Sequence, residues 1–335
     1  LADGLGALSA SSAPARGTFA GRELDLGVLG GFASERSADL ARRADVVLAV
    51  GAGLNQFTMS FGETFDPAAR LIQIDIAERA THPAVVDFVR GDARLAALGL
   101  LERLRAAGRR SPAWPGLDPA EVHDAGFDRE PGEPLAADGR LDPRSLTREL
   151  DRLLPEDRLV VFDGGHFIGW GNMHLRVPGP DRLLLVGTAY QSIGLGFASA
   201  PGAAVAAPDR TLVMITGDGG GLMGLADLDS LVRTARSAVV VVYNDGAYTA
   251  EVTQYGSIGV EQEPMLIPEA DFAAIGRGLG AEGVVVRSLA DLAALREWTR
   301  RGAEGTLLLD CRVSGEVVAP YQREIMRMLH GSLGR

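Results

Sequence analysis

Lysine is absent from this chain: all 33 basic residues are arginine. That removes Schiff-base catalysis, pyridoxal-phosphate attachment and the lysine of a phosphate-binding P-loop together. The single cysteine, Cys311, allows no disulfide framework and no Cys-cluster zinc site, and it suits a reducing, cytoplasmic setting. Five histidines show no His-Glu-x-x-His or comparable ligand spacing, and His123 and His174 read as surface or core residues rather than catalysts. Positive charge is in deficit, with a formal net charge of −11. Nucleic acid is therefore not an expected partner, because phosphate contacts need a basic face. No apolar run reaches the roughly 18–20 residues of a membrane span, so a membrane is not an expected partner either.

What the chain does have is alternation of strand and helix patterns. Its 335 residues suit two domains. In residues 1–110, strand patterns at 46–50 and 71–76 precede a helix near 95–107. Residues 111–140 are rich in Pro, Gly, Asp and Glu with sparse apolar periodicity, which predicts a surface linker. Residues 141–335 carry further strands at 211–216, 238–243, 283–286 and 306–310, with helices near 222–235, 272–279 and 289–301. The predicted fold class is α/β, with two doubly wound parallel-sheet domains.

One constellation carries chemistry. Ile215-Thr216-Gly217-Asp218-Gly219-Gly220 ends an apolar strand, and 27 positions after Asp218 stands Asp245, in Val242-Tyr243-Asn244-Asp245-Gly246-Ala247. Leu222, Leu225, Leu228, Leu231 and Val232 recur between them at helical spacing. A helix of about 14 residues spans about 21 Å. A strand of five or six residues spans about 17–20 Å. The helix can therefore return the chain across the sheet, so that both acidic loops emerge at the carboxyl edge, where open α/β sheets bind ligands. Mg²⁺ takes oxygen ligands and is commonly shared between one or two carboxylates and substrate phosphates. Asp218 and Asp245 supply such carboxylates. Gly217, Gly219 and Gly220 let backbone N–H groups approach phosphate oxygens. An ordinary strand-to-helix turn capped by Asp218 is the competing reading.

Gly-Asp-Gly, about 27 residues, then Asn-Asp resembles the thiamin-diphosphate binding motif. The chain is similar to the superfamily of acetolactate synthase, pyruvate decarboxylase and benzoylformate decarboxylase. Residues 141–154, then Arg158-Leu159-Val160-Val161-Phe162-Asp163-Gly164-Gly165-His166 and Gly187-Thr188-Ala189-Tyr190-Gln191-Ser192-Ile193-Gly194, resemble its cofactor-binding (PP) domain in order. The strand running into Gly51-Ala52-Gly53, and Leu71-Ile72-Gln73-Ile74-Asp75-Ile76, resemble its central domain. The resemblance implies that Asp218 and Asp245 bind Mg²⁺ through side chains and Ala247 through its carbonyl. It implies that Gly164, Gly165 and His166 touch the diphosphate, and that the Gln191 carbonyl accepts from the cofactor's amino group. Ile193 matches the wedge that bends the cofactor, and Tyr248 and Thr249 line the site. Glu251 matches an active-site glutamate of the decarboxylases. Read from the residues alone, Ile193 also suits core packing, His166 a satisfied buried loop, and Glu251 an exposed polar position.

The same resemblance implies an acetolactate synthase-like carboligase acting on 2-oxo acids, with a simple 2-oxo-acid decarboxylase as the alternative. A non-catalytic cofactor-binding assembly partner and a Rossmann-type oxidoreductase stay open as another class, although Gly51 and Gly53 have no third glycine at dinucleotide spacing. The Gly51-Ala52-Gly53-Leu54-Asn55 loop lacks the arginine of flavin-binding relatives, which argues against FAD. Relatives also carry a pyrimidine-binding (PYR) domain and an earlier first strand in the central domain, neither of which is seen in this sequence. The expectation is therefore a carboxyl-terminal part of a longer polypeptide, working as a homodimer or homotetramer with a PYR domain from elsewhere. Asp218→Ala should abolish retention of thiamin diphosphate while leaving the far-UV circular dichroism unchanged; retention at the wild-type level would remove the site assignment.

Overall fold

The structure, a computed structural model, describes residues 1–108, 114, 117–187 and 190–333. The chain divides into two compact units, Leu1–Arg129 and Glu130–Arg335.

In the first unit α1 (Ala2–Leu5) leads into β1 (Ser9–Ser11), which pairs in parallel with β2 (Asp25–Val28). Helix α2 (Glu35–Arg42) follows, its N-cap Ser34 accepting the Ser37 N–H. A second parallel sheet, ordered β3-β4-β5, comprises β3 (Val46–Val50), β4 (Arg70–Asp75) and β5 (Val85–Arg90), and α3 (Ala93–Ala106) comes after it. The stretch 111–140 corrects the linker expectation. Residues 111–113, 115 and 116 lie outside the described residues, but 117–129 belong to this unit. They form α4 (Pro119–Val122) and a 3₁₀ turn, and Val122 and Ala125 join Leu26, Leu40 and Ala41 in the core. Ser34 Oγ donates to the Ala125 carbonyl at 2.6 Å. One-turn elements bury isolated apolar residues without any repeat, so periodicity cannot reveal them.

The second unit opens on α5 (Pro143–Leu153), where Asp142 caps the helix by accepting the Arg144 N–H and Pro143 stands at the first helical position. Then come β6 (Arg158–Phe162), α6 (Ile168–His174), β7 (Leu183–Leu185), α7 (Gly196–Ala206) and β8 (Thr211–Gly217). Helices α8 (Asp218–Met223) and α9 (Ala226–Thr234) lead to β9 (Ser237–Asn244), α10 (Thr249–Gly256) and α11 (Phe272–Gly278). The unit ends with β10 (Glu282–Val286), α12 (Ala293–Arg300), β11 (Gly305–Arg312) and α13 (Pro320–Leu333). The strands form one parallel six-stranded sheet in the order β10-β11-β9-β8-β6-β7. Its central strands are sealed on both faces, as parallel sheets require: Val239, Val240, Val241 and Val242 are fully buried.

The helix expected over 222–235 starts earlier and is split. It begins at Asp218, directly on the strand end, and breaks at Gly224. There the chain runs so close to the 194 loop that a Cβ on Gly224 would stand 2.8 Å from the Gly194 carbonyl oxygen. The second half keeps the expected core face, with Leu228 and Leu231 fully buried beside Phe197 and Val240. Leu228→Ala should cost about 2–5 kcal/mol of stability, read as a lower urea midpoint at unchanged slope.

Candidate active site

Strands β8 and β9 are neighbours, and their register places Gly217 opposite Tyr243. Asp218 and the turn at Asp245 therefore leave the same edge of the sheet side by side. The contact is direct: the Gly246 N–H donates to Asp218 Oδ2 at 2.7 Å, while the Gly219 N–H donates to Oδ1 at 2.8 Å. Asp218 is buried and Asp245 half-buried. Burial first, and then the neighbouring Asp218 charge, push the Asp245 carboxyl up to about 7. The Thr249 hydroxyl, the Ala247 N–H and the charge of Arg140 oppose that rise. Burial also raises Asp218, against the Gly246, Gly219 and Ala247 amides.

Two carboxylates held this close are what a divalent cation stabilises. Among the described residues neither makes an ion pair, and no third His, Cys, Asp or Glu completes a protein-only metal cluster. A set of two carboxylates and a nearby carbonyl suits Mg²⁺ shared with phosphate oxygens and does not suit structural zinc. The residues present fit the metal.

The glycines are demanded by the protein's own packing. A Cβ on Gly219 would lie 2.5 Å from the Tyr248 ring, and one on Gly220 would lie 2.9 Å from Asp163 Oδ2. On Gly164 it would stand 2.9 Å from the Ser192 carbonyl and 3.1 Å from Ile193 Cγ2. Ile193 thus packs against the Gly164 turn and is half-buried there. Gln191 holds φ +56°, a left-handed conformation uncommon outside glycine, in a segment where the Ser192 N–H donates to the Gly187 carbonyl at 3.1 Å. Thr188 and Ala189 lie outside the described residues. Tyr248 and the buried Thr249 begin α10, and Glu251 follows half-buried on its first turn.

His166 is placed differently from its neighbours. Its Nε2 accepts the Ala319 N–H at 3.1 Å, and its ring meets Trp170 edge-on with centroids 5.7 Å apart. Burial lowers its pKa to about 4. The imidazole is buried.

Two groups of residues escaped the sequence reading. Asp163 is fully buried and joins three loops. It accepts from the Gly164 N–H at 2.8 Å, the Gly194 N–H at 3.1 Å, the Leu195 N–H at 3.3 Å and the Thr216 hydroxyl at 3.1 Å. An acid ending an apolar strand just before two glycines was an available signal for it. The second group braces Asn244, the residue before Asp245. Asn244 Nδ2 donates to Asp310 Oδ1 at 2.9 Å, and Arg312 pairs with the other Asp310 oxygen at 2.7 Å. Glu269 bridges Arg312 and Arg140, each at 2.9 Å. Arg140 donates in turn to the Asn244 carbonyl at 2.8 Å and to the Val313 carbonyl at 2.7 Å. Nothing in the local sequence around Arg140 announces that role.

A parallel sheet whose carboxyl edge bears acidic, glycine-flanked loops belongs to the cofactor-binding α/β class. Two models of one family match the chain: "Thiamine pyrophosphate enzyme, central domain" over residues 1–100, and "Thiamine pyrophosphate enzyme, C-terminal TPP binding domain" over residues 163–311. The chain belongs to the thiamine pyrophosphate enzymes and carries their central and C-terminal domains. Sulfoacetaldehyde acetyltransferase of Castellaniella defragrans is 29% identical, over 97% of this chain and 59% of that protein. The acetolactate synthase large subunit of Parasynechococcus marenigrum is 30% identical over 78% of this chain and 42% of its own length. The chain spans about half the length of the curated relatives it matches. The solved benzoylformate decarboxylase from Polynucleobacter necessarius shares the fold, with a TM-score of 0.72 at 18% identity over 94% of this chain and 58% of that one. Among the described residues no helix is long and apolar enough to cross a membrane.

The acidic pair generates a pH prediction for the metal-free protein. Unfolded Asp245 releases its proton near 3.8, whereas the folded group keeps it to about 7. The folded state binds more protons across that window, so stability is full below about pH 4 and is lost as pH rises to about 7. The melting temperature without metal should fall between about pH 4 and pH 7 and level off above that. Mg²⁺ should restore it at the upper end, and Asp245→Asn should flatten the metal-free profile.

Proposed function

We propose that this chain holds the diphosphate and cation end of thiamin diphosphate in a Mg²⁺-dependent enzyme acting on 2-oxo acids, and that the reaction is carboligation of the acetolactate synthase kind. The Gly246–Asp218 hydrogen bond carries this reading, because it brings the two acidic loops together at one point. Asp218 and Asp245 hold the cation through carboxylate oxygens and Ala247 through its carbonyl. Backbone groups of Gly164, Gly165, Gly217, Gly219 and Gly220 receive the diphosphate, with Tyr248 and Thr249 closing the wall behind them. Gln191 and Ile193 orient the ring end. The bound cofactor supplies a nucleophilic carbon and an electron sink for the loss of CO₂ from a 2-oxo acid. Glu251 moves protons at the substrate side.

The pyrimidine end needs a carboxylic acid from a PYR domain outside this sequence, and a homodimer or homotetramer is the assembly that would present it. The lone, buried Cys311 suits a reducing cytoplasm. A simple 2-oxo-acid decarboxylase is the second reading; it draws on Glu251, whose charge is felt at the Tyr321 phenol.

The test is a CO₂-release assay on the complete gene product with Mg²⁺, thiamin diphosphate and a panel of 2-oxo acids, with and without a second acceptor. Release that needs both cofactors, with coupled product dominating when acceptor is present, is the expected result. Release without coupling selects the decarboxylase. Cofactor retention with no turnover on any acid selects a non-catalytic assembly role, and NAD binding without thiamin dependence selects an oxidoreductase.

A further inference from the structure

The start of α13 grips His166 at two points. The Ala319 N–H donates to the ring Nε2 at 3.1 Å, and the Tyr321 hydroxyl donates to the His166 carbonyl at 3.1 Å, with a longer 3.4 Å approach to the Gly165 carbonyl. Both acceptors of residue 166 are thus held by one short segment more than 150 residues away in the chain. All three residues are buried: Ala319 fully, His166 and Tyr321 to 6% and 7% exposure. The phenol is packed in place as well, since a Cβ on Gly169 would stand 2.7 Å from Tyr321 Cε1. With its Nε2 accepting and its pKa depressed, the His166 ring is neutral and carries its proton on Nδ1.

Tyr321 also faces the other way. Its oxygen accepts from Gln322 Nε2 at 3.1 Å, and Gln322 Oε1 accepts from Gln254 Nε2 at 2.8 Å. Gln254 lies on α10 one turn beyond Glu251, and these two residues share a helix face. The Glu251 charge adds to the rise that burial imposes on the Tyr321 phenol. On the opposite side, the loop that His166 anchors meets the 193 segment and the ends of β8 and β9. Gly164 meets Ile193, and Phe167 stacks on Tyr243 with ring centroids 5.7 Å apart, 3.3 Å from where a Cβ on Gly217 would stand.

We propose that Tyr321 and His166 are positioning residues, a joint through which the start of the C-terminal helix sets the diphosphate turn at Gly164 and Gly165 and the Glu251-bearing helix in one arrangement. The inference rests on the proposed function and adds to it Tyr321, which lies outside the cofactor-binding motifs, and a positioning role for His166. Removing the hydroxyl takes from the His166 carbonyl one of its two donors, leaving it the Gly169 N–H at 3.3 Å, and takes from the buried Gln322 amide its acceptor, while the ring still fills its place.

The experiment uses the complete gene product with saturating Mg²⁺ and measures thiamin diphosphate affinity by tryptophan fluorescence, kcat and KM for the 2-oxo acid, and melting temperature. Tyr321→Phe should raise the cofactor Kd about tenfold and lower kcat, with KM changed by less than about twofold. His166→Leu should raise the cofactor Kd by a similar factor. His166→Gln, whose amide oxygen can accept the Ala319 N–H, should recover most of that loss. Gln254→Leu cuts only the branch toward Glu251, so kcat should fall while the cofactor Kd stays within about twofold. This variant sits on a half-buried face and keeps the test decisive where Tyr321→Phe folds poorly. A melting temperature lowered in Tyr321→Phe with wild-type Kd and kcat would reduce the contact to ordinary packing and overturn the proposal, as would an unchanged kcat in Gln254→Leu. Wild-type protein that binds no thiamin diphosphate would instead sink the functional reading, and this inference with it.

Discussion

Two like charges at the tips of adjacent strands are the constraint that organises the second unit. Parallel pairing of β8 with β9, with Gly217 opposite Tyr243, brings Asp218 and Asp245 out at the same edge of the sheet. Their surroundings answer with donors: amides of Gly219, Gly246 and Ala247, and the Thr249 hydroxyl. These donors oppose the rise of both carboxyls, which burial drives first and, at Asp245, the Asp218 charge adds to. Nearby positive charge would stabilise an acidic pair left in that condition.

Around this pair the protein ties its loops together from behind. Asp163 gathers the 164, 194 and 216 segments with four accepted hydrogen bonds, so the glycines that meet there are spaced by the protein before any ligand arrives. The Asp310, Arg312, Glu269 and Arg140 chain does the same for Asn244. Both devices use polar groups with defined partners, buried in the first and partly exposed at Glu269 and Arg140 in the second, and such pairings specify geometry more sharply than apolar packing does.

Much of this was legible in the sequence. The valine-rich strands, the acid–glycine spacing and the helix face containing Leu228 and Leu231 all rest on strong periodic or positional signals. The break at Gly224 was not readable, because it results from the approach of Gly194, thirty positions away. The packing of residues 117–129 into the first unit was hidden for a related reason: single turns bury single side chains. The motif located the loop that contains His166, but the partner of its ring lies far along the chain at Ala319. Arg140 was invisible on the same grounds, since its partners are two backbone carbonyls and one distant glutamate. Local chemistry shows in a sequence, whereas pairings across long separations do not.

The brace behind Asn244 has an inner and an outer half of different character. Asp310 and Arg312 are sealed from solvent, whereas Glu269 and Arg140 are about a third exposed, at 38% and 32% for their side chains. Dissolved ions screen the outer half over a Debye length of about 8 Å at physiological strength and leave the inner half nearly untouched. The loop behind the acidic pair is therefore fixed to a stiff post on one side and a salt-compliant strut on the other. Ionic strength reaches the acidic pair through its mounting as well as through the solution around it.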